Sequence, residues 1–177
     1  MSETNAATLS VGLLGGVAVW FTAEVIKVPV WVAFIAWASF AVLGGGTDGW
    51  VRSVASNLVG IAWGSAAVIA GQQDADSVLL ASVAVGIGSA GMVASSRVPL
   101  LELPAIVWGF ASTVGITAVT GREIASTAIA DNPTTFAIGA MVVGATFGLA
   151  SEHLAKTLTT RAPATAEAGT PALEPRA

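Results

Sequence analysis

The chain has 177 residues, of which 54% are hydrophobic and only 10% charged, with a net charge of -4 and a mean hydropathy of +0.79. Ordinary soluble domains carry about 25% charged residues, so this composition excludes that class and reads as one all-α integral membrane domain. The acidic balance and the lack of a basic cluster exclude a nucleic-acid partner, and the absence of cysteine excludes disulfides, thiolate metal sites and a cysteine nucleophile.

Taken in order, the N-terminus MSETNAATLS lacks the positive n-region of a signal peptide, so the first apolar run is expected to persist as a helix. Six apolar segments follow, at residues 9–26, 30–43, 54–71, 78–94, 105–119 and 135–154. No alternation of the β-barrel kind is present. The breaks are clear: Lys27-Val28-Pro29 ends the first run, and Gly44-Gly45-Gly46-Thr47-Asp48-Gly49 turns the chain after the second. The polar loop Gln72 to Ser77 divides the halves, and Ser96-Arg97-Val98-Pro99 and Asp131-Asn132-Pro133 punctuate the remainder. After Lys156 the sequence becomes rich in Ala, Pro, Thr and Glu, a composition that favours disorder. The predicted organisation is a short segment 1–8, a six-helix membrane domain 9–156 with halves 9–71 and 78–154, and a disordered tail 157–177.

Two of the six segments are short. At about 1.5 Å per residue the second reaches about 21 Å, against a hydrocarbon core of about 30 Å. The fifth holds the matching place in the second half, opened by Pro104 and closed by Gly121. Paired short, proline- or glycine-interrupted helices are the sequence pointer to a solute path between two inverted halves. Sliding Ala33-Phe34 onto Gly109-Phe110 brings Gly45 onto Gly121, which gives the expected register of a repeat of three helices plus three. With both termini cytoplasmic, Arg52, Arg97, Lys156, Arg161 and Arg176 lie inside, and only Lys27 and Arg122 outside, as the positive-inside rule prefers.

Helical faces identify the candidate residues. Gly12, Gly16, Trp20, Glu24 and Lys27 share one stripe of the first helix. Ser53, Asn57, Gly60, Gly64 and Gly71 share one on the third, and Gly144, Gly148 and Glu152 one on the sixth. Such small-residue stripes are expected to pack helices together or to line a narrow passage. Glu24 is one turn from Lys27 and is expected to pair with it or snorkel to the headgroups. Asn57 is read as inter-helix glue or a solute ligand; Ser112, Thr113 and Thr117 either face a pore or bond back to their own helix. Trp31 and Trp50 fit the interfacial belt, whereas Trp20, Trp37, Trp63 and Trp108 lie deeper and either fill the core or narrow a pore. The residues expected to line a pore or touch solute are therefore Trp20, Glu24, Trp37, Asn57, Trp63, Trp108, Ser112 and Thr113.

No catalytic constellation emerges. His153, beside Glu152, fits the helix C-terminal dipole better than acid-base work, and GGGTDG lacks the Lys-Ser/Thr of a phosphate loop. All four aspartates are expected in loops, and no metal or cofactor set is visible.

Several residues also carry a resemblance. Gly15-Gly16 with Trp20, Trp31 and Phe34, Phe40-Ala41 and Gly44-Gly45, then Leu58, Gly60 and Trp63, and finally Pro104, Gly109 and Phe110 resemble the pattern of the bacterial inner-membrane proteins grouped as domain of unknown function 1097. The resemblance runs over residues 11–121; the sixth helix is similar only in character, and the tail departs from the pattern. It implies a small polytopic inner-membrane protein and assigns no functional residue. The expectation is a non-enzymatic, homo-oligomeric channel or facilitative transporter for a small polar solute in the bacterial inner membrane. The alternative is a structural or accessory subunit that scaffolds another complex.

Overall fold

A computed structural model describes residues 1–125 and 131–159. Among the described residues the protein is an all-α bundle of six α-helices: α1 (Glu3–Trp20), α2 (Val30–Val42), α3 (Gly46–Gly71), α4 (Val78–Ser95), α5 (Leu103–Thr120) and α6 (Pro133–Leu158). Five are long and apolar enough to cross a bilayer, α1 with the help of a π-helical turn, Phe21–Val25, that extends it; α2 is shorter. The protein is therefore a multi-pass membrane protein whose outer faces meet lipid, since only helices satisfy their own backbone there. Of the tail expected at 157–177 to be disordered, Thr157 and Leu158 form the last residues of α6, and residues 160–177 lie outside the described residues.

Local chemistry sets the helix ends. Ser2, Ser77 and Asn132 cap α1, α4 and α6, their side chains accepting from the amides of Asn5, Leu80 and Thr134. Pro104 and Pro133 sit in the first turns of α5 and α6, where no amide is needed. Gly121 closes α5 in the left-handed conformation.

Several boundaries depart from expectation, and α1 already begins at Glu3, inside the short segment 1–8 expected to precede it. The helix α3 starts at Gly46, about two turns before its apolar run, because only Gly44, Gly45 and Gly46 (φ 94, 68 and 64°) are needed for the turn. Asp48 consequently lies in the first helical turn, not in a loop, and pairs with Arg52 one turn on. Another is α5: with 18 residues it spans about 27 Å, so it is not abbreviated in the way that α2 is, with 13 residues and about 20 Å. At the end of α1, the π-turn and the left-handed Lys27 (φ 52°) break the one-turn spacing, and Glu24 and Lys27, both exposed, form no ion pair.

Helix directions alternate along the chain. Gly45 at the start of α3 meets Glu152 near the end of α6, and Ser65 late in α3 bonds Thr134 at the start of α6, so the two are antiparallel. By the same reading α5 runs parallel to α3, with Glu102 at Ser56 and Thr113 at Gly64. α2 runs parallel to α6, with Ala33 at Gly144 and Phe40 at Gly148. The most extensive seams are α3 on α5 and α2 on α6, followed by α3 on α4 and α1 on α6.

Glycine makes the two main seams possible. A Cβ on Gly60 would stand 1.9 Å from the Ile106 carbonyl oxygen, one on Gly109 2.0 Å from that of Asn57, and one on Gly144 1.9 Å from that of Ala33. At these crossings backbone touches backbone, which lets dispersion and Cα–H···O contacts hold helices together where the hydrophobic effect is silent. Gly12 and Gly16 behave differently: nothing lies within 4 Å of either, so the expected packing stripe of α1 faces outward, unpacked by this chain. Between the seams the centre is dry, built from Val32 and Ala36 of α2, Ile61 of α3, Ile116 of α5 and Met141 of α6.

Candidate functional site

Inside this apolar bundle, one polar cluster is buried completely. The amide of Asn57 on α3 donates to Ser39 Oγ on α2 and to Ser53 Oγ one turn back on α3, each at 3.2 Å. Ser53 Oγ also donates to Ser39 Oγ at 2.8 Å. All three side chains are fully buried. The sequence places them together because Ser53 and Asn57 are one turn apart, while the short α2 and its tight glycine turn fold back along α3 at the level of Ser39.

The cluster is incompletely satisfied. Among the described residues Asn57 Oδ1 has no hydrogen-bond partner, and neither has Ser112 Oγ on α5, also fully buried. Turning the Asn57 amide over would let the serines donate to its oxygen but would strand its nitrogen, so one end of the group is unpaired in either orientation. Such a group costs about 1–3 kcal/mol when buried without a partner. Thr113 is equally buried but bonds back to the Gly109 carbonyl at 3.1 Å, and Thr117 to that of Thr113 at 2.9 Å. Asn57 and Gly109 touch through their backbones, and Ser112 lies one turn beyond Gly109, so the Asn57 and Ser112 groups flank the α3–α5 crossing.

The remaining candidates are placed apart from this cluster. Trp20 is 60% exposed and Glu24 exposed, both at the end of α1. Trp37 is buried on the α2–α6 seam, stacked between Phe34 at 6.1 Å and Phe147 at 6.3 Å. Trp63 lies across Gly91 of α4 and donates to Ser95 Oγ at 3.0 Å, and Trp108 is half-buried on α5. Trp31 is partly exposed and leans on Gly115, while Trp50 donates to Thr146 Oγ1. Surface grooves lie between α3 and α4 and between α1 and α6, away from Asn57. With its groups fully buried, the cluster is closed to solvent.

Charged groups gather at one end of the bundle. Arg52 pairs with Glu102, just before α5, and with Asp48 at 3.3 Å, and the Glu102 amide donates to Ser56 Oγ at 2.8 Å. Glu152 of α6 accepts from the Gly46 amide at 2.6 Å and pairs with Lys156. A carboxylate from α6 thus caps α3 from outside its own chain segment, where the helix dipole favours negative charge. Sequence spacing alone could not show this, because the two residues are far apart along the chain. His153 Nδ1 lies 2.8 Å from the Leu149 carbonyl and is exposed. No group of three or more His, Asp or Glu side chains that could hold a metal occurs among the described residues.

Comparison with known families decides the relationship. The model of a family described as "Protein of unknown function (DUF1097)" matches residues 8–156. The chain belongs to the DUF1097 family. The DUF1097 match takes in all of α5 and nearly all of α6, so it reaches beyond the residues that carried the resemblance in the sequence, and it includes every member of the polar cluster. Neither the curated proteins nor the solved structures contain a match to the chain.

Proposed function

We propose that this DUF1097 protein is a channel or facilitative transporter for a small polar solute, seen here in a closed conformation. The observation that carries the reading is the buried, charge-free Ser39–Ser53–Asn57 cluster with its unpartnered amide oxygen, deep inside a largely apolar bundle. Polar groups held deep within membrane helices mark solute pathways when they face the bundle interior.

An inverted repeat of three helices plus three supports the same reading. Exchanging α1 with α4, α2 with α5 and α3 with α6 converts the α3–α5 seam into α6–α2 and the α3–α4 seam into α6–α1, and these are the four most extensive seams of the bundle. Burial follows the exchange. With Ala33 placed on Ile106, all six buried residues of α2 fall on buried residues of α5, Ser39 on Ser112 among them. With Gly60 placed on Gly144, all eight buried residues of α3 fall on the eight of α6. This register differs by three residues from the Ala33-on-Gly109 pairing suggested by sequence, because burial follows the helix crossing and not the identity of neighbouring residues. Transporters built this way carry solute at the interface of their repeats. On this reading the protein is a homo-oligomer of the bacterial inner membrane with both termini cytoplasmic, the orientation that the positive-inside rule favours.

The second reading, a scaffolding subunit without transport, is favoured by the glycine seams and the outward-facing Gly12 and Gly16. Solute-flux measurements on purified protein in liposomes separate the two. Flux of urea, ammonium, formate or a small polyol above that of protein-free vesicles, reduced by Asn57→Leu, supports transport. No flux for any of these favours the scaffold.

A further inference from the structure

Resting on the transport reading above, we infer that the Ser39–Asn57 site takes an electrically neutral molecule with both a hydrogen-bond donor and an acceptor, of the amide or hydroxyl class, and rejects ions of the same shape. The inventory of unspent valences defines the class. As oriented, the Asn57 amide nitrogen donates to Ser39 and Ser53 and its Oδ1 is left as a free acceptor; turned over, its N–H groups would be the free donors beside the serine lone pairs, so the site offers an unspent donor and an unspent acceptor either way. Ser39 Oγ receives hydrogen bonds from Ser53 and Asn57, and among the described residues its own proton has no acceptor. One acceptor and one donor, on residues already bonded to each other, match a group that gives one hydrogen bond and takes one.

Charge is what the site lacks. The nearest ionised groups on α3 are Arg52 and Asp48, which are committed to each other and to Glu102 at the helix end. Arg52 precedes Asn57 by five residues, a rise of about 7.5 Å along the helix. An ion at Asn57 would give up its hydration for two neutral groups in a low dielectric, a loss of several kcal/mol with no countercharge to offset it. A neutral amide or alcohol exchanges hydrogen bonds with water for hydrogen bonds with Asn57 and Ser39 at little net cost. Size is limited by the neighbouring α3–α5 crossing, where Gly60 and Gly109 bring the backbones into contact.

Isosteric pairs test the inference: urea against guanidinium and acetamide against acetate, the latter well above the carboxylate pKa. Stopped-flow uptake into proteoliposomes is expected to be fast for urea and acetamide and indistinguishable from protein-free vesicles for guanidinium and acetate. Asn57→Leu and Ser39→Ala are expected to lower the neutral flux at least about fivefold, the worth of about one hydrogen bond. Helical circular dichroism and elution volume check each variant's fold, and Ser39→Ala, which removes one atom, serves if Asn57→Leu fails to assemble. Comparable flux of guanidinium or acetate, or folded variants that keep the full neutral rate, would overturn the inference while leaving transport intact. If nothing crosses with the native protein, the transport reading falls, and binding then decides the site. The side-chain amide signal of Asn57 in 15N-asparagine-labelled protein, identified by its loss in Asn57→Leu, should shift with urea or acetamide and not with guanidinium. No shift with any neutral probe would overturn the site as well.

Discussion

Replacing Gly144 by alanine should destabilise the bundle, whereas the same replacement at Gly12 should not. A Cβ on Gly144 would stand 1.9 Å from the Ala33 carbonyl oxygen and 2.6 Å from its carbon. Carbon–oxygen contacts of this kind settle at about 3.3–3.6 Å, so α2 and α6 would have to part by more than an ångström along one of the two principal seams. Overpacking of that size costs about 1–3 kcal/mol. Alanine recovers about 0.8–1.0 kcal/mol of helix propensity at either position. At Gly12, with nothing within 4 Å, only the gain applies. The net expectation is a loss of up to about 2 kcal/mol for Gly144→Ala, or up to about 8 °C in Tm for a protein of this size, and a rise of somewhat under about 1 kcal/mol for Gly12→Ala. Thermal unfolding in detergent, followed by tryptophan fluorescence, measures both. A Gly144→Ala variant stabilised as much as Gly12→Ala would refute the backbone-contact geometry. A Gly12→Ala variant that loses as much would show that the outward stripe of α1 is packed against something after all.

Three further outcomes are expected. Glu152→Ala should lower stability by about 1 kcal/mol, because it uncaps the Gly46 amide, and Glu152→Gln should lower it less, since an amide oxygen still accepts; the same unfolding assay ranks them. A double-mutant cycle on Arg52→Ala and Glu102→Ala should give a coupling of only about 0.2–1 kcal/mol, reduced further by salt, because both side chains are about a third exposed. In a chain without native cysteine, Asp74→Cys should react with a membrane-impermeant thiol reagent in intact cells whose outer membrane has been permeabilised; labelling only after lysis would reverse the orientation.

Composition and punctuation were sufficient for the class and the count of elements. A chain this apolar and this poor in charge has to satisfy its backbone internally, and prolines, glycine runs and polar loops mark where each helix stops, because those rules act locally. The start of α3 was not legible: Gly46 to Arg52 is polar and glycine-rich in sequence, and the Glu152 carboxylate that caps its first turn comes from across the bundle. The candidate residues divided for a similar reason. Asn57, Ser112, Thr113 and Trp37 are interior, but Trp20 and Glu24 lie at the surface, although all sit in apolar segments.

What the sequence determined by itself was helical content, the shortness of α2 and the presence of small-residue stripes, since each depends on neighbours within a few turns. Which stripe is packed and which faces outward was decided only by the tertiary structure. Gly12-x3-Gly16 and Gly60-x3-Gly64 are alike in sequence, yet one meets open space and the other the backbone of α5. In a bilayer both faces of a helix find an apolar surrounding, so hydrophobicity cannot rank them; only the approach of another backbone can.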